Sequence, residues 1–146
     1  MSYESLLAEG RLRRRKTSRE DVRHLLRLAE RDLADAAVAG LSADRRFLIA
    51  YEAALALATI PLFSAGYETH GSGHHWVTPQ MLPRFMGEAY AELATYFESC
   101  RTKRNVGAYD RGGEISETEA DELLSEATDF KSRVEAWIRI NHPELR

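Results

Sequence analysis

Three groups of side chains in this 146-residue chain have types and spacings that could carry chemistry. The first is Arg101, Lys103, Arg104 and Asn105, with Tyr109 four residues beyond Asn105. Arginine makes planar, bidentate contacts to phosphate and carboxylate groups. Leu93, Phe97 and Cys100 lie upstream at helical spacing, and both Arg101 and Arg104 continue that stripe. At least one of the two arginines should therefore point inward or into an interface. A buried guanidinium needs a partner. Glu52, the lone acid within a long apolar stretch, is the natural one, and the sequence leaves open which arginine it meets. Such a pair can position a phosphate-binding arginine, or it can be purely structural.

The second group is Arg19, Arg23, Arg27 and Arg31. Four-residue spacing stacks them along one face of a helix, where like charges repel by a few tenths of a kcal/mol per pair, so roughly 0.2–0.5 kcal/mol each. A helix that tolerates this could use the stripe to bind phosphates. The alternative is a solvated face relieved by Glu30, Asp32 and Asp35. The third group is His70, His74 and His75, on a segment containing Gly66, Gly71 and Gly73. A zinc site would want a fourth ligand and turn or helical spacing. Neither a carboxylate nor a second cysteine completes this set locally, so no metal and no cofactor is expected.

The elements that must position these groups are helices. Thr17 and Ser18 offer capping hydroxyls, and Glu20 and Asp21 suit the positive end of a helix that runs to about Val38. Val22, Leu25, Leu26, Ala29, Leu33 and Ala36 recur along it with three-four spacing. Ser42 opens a second helix through Phe47, Tyr51, Ala54, Leu55, Ala58 and Leu62. Its opposite face (Ile49, Ala53, Leu57) is also apolar, so it should be buried nearly all round. Pro61 marks its last turns, and Gly66 ends it. The segment 67–77 reads as a loop. Thr78 and Pro79 read as the start of a short helix. Another helix runs from Glu88 to about Arg104. Ser116 and Glu119 form a capping box for the last helix, which ends before Pro143. No segment alternates with strand period, so no sheet is expected. The reading is all-α: an up-and-down bundle of four long helices plus one short helix over residues 18–142, preceded by a basic lead-in over 1–17.

Composition bounds the rest. The chain weighs 16.5 kDa, the size of one domain. It is 44% hydrophobic and 29% charged, which is enough to build a core and unlike a disordered chain. A formal net charge of −3 excludes a uniformly basic nucleic-acid binder. The charge is nonetheless graded: residues 1–46 carry 11 basic and 8 acidic side chains, whereas residues 47–100 carry 1 and 5. Cys100 is the single cysteine, so an intramolecular disulfide is excluded and a reducing, cytoplasmic setting is expected. The nearly uncharged stretch Phe47–Gly66 is long enough to span a bilayer. Glu52 at its middle and its many alanines point instead to a central bundle helix, with no membrane association.

With these residues in view, the chain resembles the HEPN superfamily, small helical-bundle proteins named for nucleotide binding in higher eukaryotes and prokaryotes. The matching segments are Arg45-Arg46-Phe47 through Ala50-Tyr51-Glu52-Ala53 on the second helix and Arg104-Asn105 through Tyr109 after the fourth. The likeness spans residues 18–140 in helix order. The family motif is an arginine, usually a polar residue next, and a histidine after four to six positions. The resemblance implies metal-independent endoribonucleases, often toxins or defence proteins. Two copies would bring their motifs into one cleft, the arginine holding the scissile phosphate and the histidine moving protons. Some members would pair with a nucleotidyltransferase-type antitoxin.

Here Tyr109 stands where that histidine would be. A phenol titrates near pH 10, too high for a base at neutral pH, though it can donate to phosphate or stack on a base. The expectation is a homodimeric module that binds RNA, a nucleotide or a partner protein without competent ribonuclease chemistry. Arg104, Asn105, Tyr109 and Glu52 would form the site. Arg101, Lys103, Arg19, Arg23 and Arg27 would add nucleic-acid contacts. The alternatives are an endoribonuclease using Arg104 and Tyr109, and a structural dimerising accessory protein.

Overall fold

The computed structural model describes residues 3–71, 74–105 and 115–146. The chain is an all-α helical bundle with a small two-stranded sheet. Its four long helices are α2 (Arg19–Ala36), α3 (Ala43–Ser64), α6 (Ala91–Asn105) and α7 (Glu117–Asn141). Shorter pieces are α1 (Tyr3–Ala8), α4 (His74–Gln80) and α5 (Leu82–Met86), with single 3-10 turns at Glu88–Tyr90 and Pro143–Leu145.

Serine caps start three of the four long helices. Ser18 Oγ accepts the Asp21 N–H, and the Asp21 carboxylate accepts the Ser18 N–H, closing a capping box at α2. Ser42 caps α3 through the Arg45 N–H. Ser116 and Glu119 form the same reciprocal box at α7. Each box satisfies two backbone donors that the first helical turn leaves orphaned.

Helix α3 is the centre of the bundle. It packs against α2, α6 and α7, and Phe47, Ala50, Tyr51, Ala54, Leu57, Ala58 and Ile60 along it are all buried. It is also the one described helix long and apolar enough to cross a membrane by length and composition, and most of that apolar stretch is covered by the rest of the fold. Its many alanines keep the neighbouring helices close. Phe97 of α6 and Phe130 of α7 complete the core, their rings tilted with centroids 5.4 Å apart.

Two expectations are corrected. The first concerns the absence of strands: Leu12–Arg14 (β1) and Tyr67–Thr69 (β2) pair antiparallel, with Arg14 opposite Tyr67 and Leu12 opposite Thr69. Each strand has three residues, too short for an alternating pattern to show. Gly66 makes the pairing accessible. Its φ of +92° turns the chain out of α3, and its carbonyl accepts the Arg15 N–H at 2.8 Å. The lead-in is thereby tied down, and Leu6 and Leu12 are buried against Leu62, Val77 and Met81 in a second apolar cluster. The second correction concerns segment 67–77, read as a loop. It holds β2 and the start of α4, so Thr78 and Pro79 fall inside a helix rather than at its start. Thr78 is fully buried there.

Candidate functional site at the end of α6

Positions 97, 100 and 104 share one face of α6. Phe97 and Cys100 are 1% and 2% exposed, and the stripe carries Arg104 against α3 with its side chain 14% exposed. There Arg104 Nη2 donates to Glu52 Oε1 at 3.1 Å. The same guanidinium lies over the ring of Tyr51, 5.5 Å from its centroid. The negative ring face favours a cation at that distance. Glu52 keeps 40% of its side chain exposed, so the pair sits at the rim of the core rather than within it. The acid in the middle of the apolar helix thus meets Arg104 and not Arg101.

Arg101 turns to its own helix. It grips Glu98 with both Nε and Nη2, at 2.6–3.1 Å. That carboxylate raises the Arg101 pKa above its ordinary value. Lys103 reaches α7 and pairs with Glu119 at 2.7 Å. Lys103 and Arg104 also stand in the last turn of α6, where positive charge complements the helix dipole. Beneath them, burial pushes the Tyr51 phenol well above its ordinary range, and Arg104 and Arg101 pull it partly back. Tyr51 therefore stays protonated and neutral under the guanidinium.

Tyr109 lies outside the described residues. Asn105 is the last residue of α6. The arginine stripe stands elsewhere. It is on α2, which packs on α3 and α7, whereas α6 packs on α3, α4 and α5. Within the stripe, Arg27 is held by Glu20 at 2.7 Å and Arg31 by Asp32 at 3.0 Å. Arg19 and Arg23 are exposed. Among the described residues, no group of three or more His, Cys, Asp or Glu is placed to hold a metal ion. His70 follows β2 with its N–H donating to the Arg11 carbonyl, and His74 opens α4.

The chain matches no family model, no curated protein and no solved structure. The geometry of the site is a guanidinium fixed at one corner by a carboxylate and on one face by an aromatic ring. Arginine has five donors, and one of them, at Nη2, goes to Glu52.

Sequence reasoning missed three participants. Tyr51 reads as a core aromatic, and only the position of Arg104, one turn beyond Cys100, reveals the ring contact. Glu98, three residues before Arg101, was a legible partner by helical spacing. Arg46 acts as a clamp behind the site. It donates to the Ala36 carbonyl at 3.0 Å and pairs with Glu117 and Asp121, locking the end of α2 and the start of α7 onto α3. Asp44 accepts the Ile115 N–H at 3.4 Å, just ahead of the α7 cap.

Proposed function

We propose that this chain is a HEPN-like helical module that binds RNA. Its contact is a backbone phosphate held by Arg104 in a cleft shared by two copies, without competent ribonuclease chemistry. The observation that carries the reading is the placement of Arg104: a guanidinium oriented by Glu52 and Tyr51 at the end of a helix, with Arg101 and Lys103 within one turn. A pre-oriented guanidinium loses less freedom on meeting phosphate than a solvated one. Arg101 and Lys103 are each bonded to a carboxylate, so in this reading the phosphate contact falls to Arg104 and is doubled by a second copy. The absence of chemistry follows from the residue types. In this reading Arg104 clamps the phosphate, but cleavage needs a base for the ribose 2′-hydroxyl, and Tyr109 replaces the histidine of the family motif.

The deciding experiment is fluorescence anisotropy of labelled single-stranded RNA in EDTA, with the RNA examined afterwards on a denaturing gel. The reading expects saturable binding, intact RNA, and about tenfold weaker affinity, or about 1.4 kcal/mol, in Arg104→Ala. Equal binding by the variant would remove it. RNA cut by the wild type and left intact by Arg104→Ala would replace it with the endoribonuclease reading. Sedimentation equilibrium should give twice the 16.5 kDa chain mass.

A second reading rests on the same pair: Arg104 is 86% covered and already bonded, as in a structural latch of a dimerising accessory protein. It predicts that Arg104→Ala lowers thermal stability with no RNA phenotype.

A further inference from the structure

A groove between α2 and α3 begins beside the Arg104 pair. Its volume is about 330 Å³, and Glu52, the partner of Arg104, is part of its lining. That volume lies at the lower end of the roughly 300–1,000 Å³ that small-ligand sites occupy. On α3, positions 52, 56, 59 and 63 recur at helical spacing and share one face, and on α2 positions 25, 28 and 32 do the same. The walls are Leu25 and Leu28 from α2 and Ala56 and Phe63 from α3, and all four are partly exposed rather than sealed in the core. Leu55 and Thr59 form the floor, and the Thr59 hydroxyl donates to the Leu55 carbonyl at 2.7 Å, so it offers a ligand no free donor.

The charges at the mouth are balanced. Arg31 is bonded to Asp32 at 3.0 Å and Arg104 to Glu52 at 3.1 Å, so the groove has no net charge to draw in a free ion. Glu52 nevertheless keeps acceptor capacity. Its Oε1 takes the bond from Arg104, its Oε2 has no hydrogen-bond partner among the described residues, and 40% of the side chain is exposed. An ionised carboxylate accepts only, and its two oxygens offer about four lone-pair sites. Apolar walls, a carboxylate at one end and no net charge describe an uncharged ring with donors along one edge. Among the RNA bases, guanine sets two donors, N1–H and N2–H, side by side on its Watson–Crick edge. Single-stranded RNA presents that edge to protein.

We infer that the groove seats one guanine base of a bound RNA, its ring against Leu28 and Ala56 and its N1–H and N2–H donating to Glu52. The strand that carries the base is the one held at Arg104, so the guanine site rests on the RNA-binding proposal above. It adds sequence to that proposal, because phosphate contacts position a strand and base contacts specify it.

The test is calorimetric titration of the full chain with guanosine, inosine and adenosine, none of which carries a phosphate. Guanosine should saturate one site per chain. Inosine lacks only the N2 amine and should bind roughly tenfold more weakly, the effect of losing one hydrogen bond to a charged group. Adenosine, with neither donor in place, should bind more weakly still. Ala56→Phe fills the groove from a partly exposed helix position and should lower guanosine affinity by about tenfold or more, with helical dichroism unchanged. The nucleoside comparison uses the wild-type chain, so it decides the matter even where the variant fails to fold. Guanosine that does not saturate overturns the guanine site, and so do equal affinities for guanosine and inosine. Unchanged guanosine affinity in a folded Ala56→Phe chain does the same. RNA held through Arg104 by a chain that ignores guanosine would leave the phosphate contact standing and remove the base site alone. Guanosine bound by a chain that holds no RNA would retain the base site and remove the phosphate contact.

Discussion

Arg104 and Glu52 stand 52 residues apart in sequence and meet at 3.1 Å, joining the last turn of α6 to the middle of α3. Arg104 is the more covered partner, and Glu52 retains contact with water. A pair in this setting loses less to desolvation than a fully buried one, and it holds its geometry better than a surface pair.

A double-mutant cycle should measure that coupling. Arg104→Ala is expected to lower stability by about 1–2 kcal/mol, because a charged hydrogen bond and a ring contact are lost while Glu52 can rehydrate. Glu52→Gln should cost less, and the two together less than their sum, giving a coupling of about 0.5–1 kcal/mol by urea denaturation. Strict additivity would mean that the contact contributes nothing to the fold.

Glu119 links the α7 capping box to Lys103, and the bond from Lys103 holds its carboxyl below the ordinary value of 4.5, with the Ser116 N–H adding to the effect. A carboxylate with a depressed folded pKa contributes stability that is fully present above pH 4.5 and fades as pH falls through its lower folded value. Glu119→Gln keeps the capping acceptor and removes the charge, so it should cost about 0.5–1 kcal/mol at pH 7. Near pH 3 the urea midpoints of variant and wild type should draw together. A difference that persists undiminished at low pH would show that the charge is not what matters.

Cys100 is buried, and burial pushes its thiol up to about 11. At pH 8 it is protonated as well as inaccessible, and only the thiolate is nucleophilic. Iodoacetamide should therefore leave the native protein unmodified by mass spectrometry over hours and modify one site fully in denaturant. Rapid labelling of the native chain would indicate that the end of α6 opens.

Phe130 contacts both Phe97 and Tyr90, at centroid distances of 5.4 and 6.3 Å, and is fully buried. Phe130→Ala should cost about 3–5 kcal/mol. The loss of α6–α7 packing would appear in near-ultraviolet dichroism before it appears in helix content.

The helices were legible because their signals are local. Ser18, Ser42 and Ser116 announce three starts, and the three-four spacing from Val22 to Ala36 announces a face. Glu52 was legible for a different reason: a lone acid in an apolar helix demands a cation, and the stripe through Phe97 and Cys100 offered Arg101 and Arg104. The choice between those two depended on rotation of α6 against α3, which tertiary packing decides. The β1–β2 pairing was not legible. Three-residue strands carry no period, and the contact joins residues far apart in the chain, Arg13 with Glu68 being separated by 55 positions. Segment 74–80 misled because Gly71 and Gly73 suggest a loop and Pro79 suggests a helix start. Burial of Val77 and Thr78 outweighed both signals.

The salt dependence of RNA affinity tests the Arg104 phosphate contact most directly. Each phosphate neutralised by a cation contributes about 0.7 to the slope of log affinity against log salt for single-stranded RNA. The account predicts that Arg104→Ala lowers affinity and reduces the slope by about that amount, between 50 and 200 mM salt. Wild-type slope and affinity retained in Arg104→Ala would contradict it.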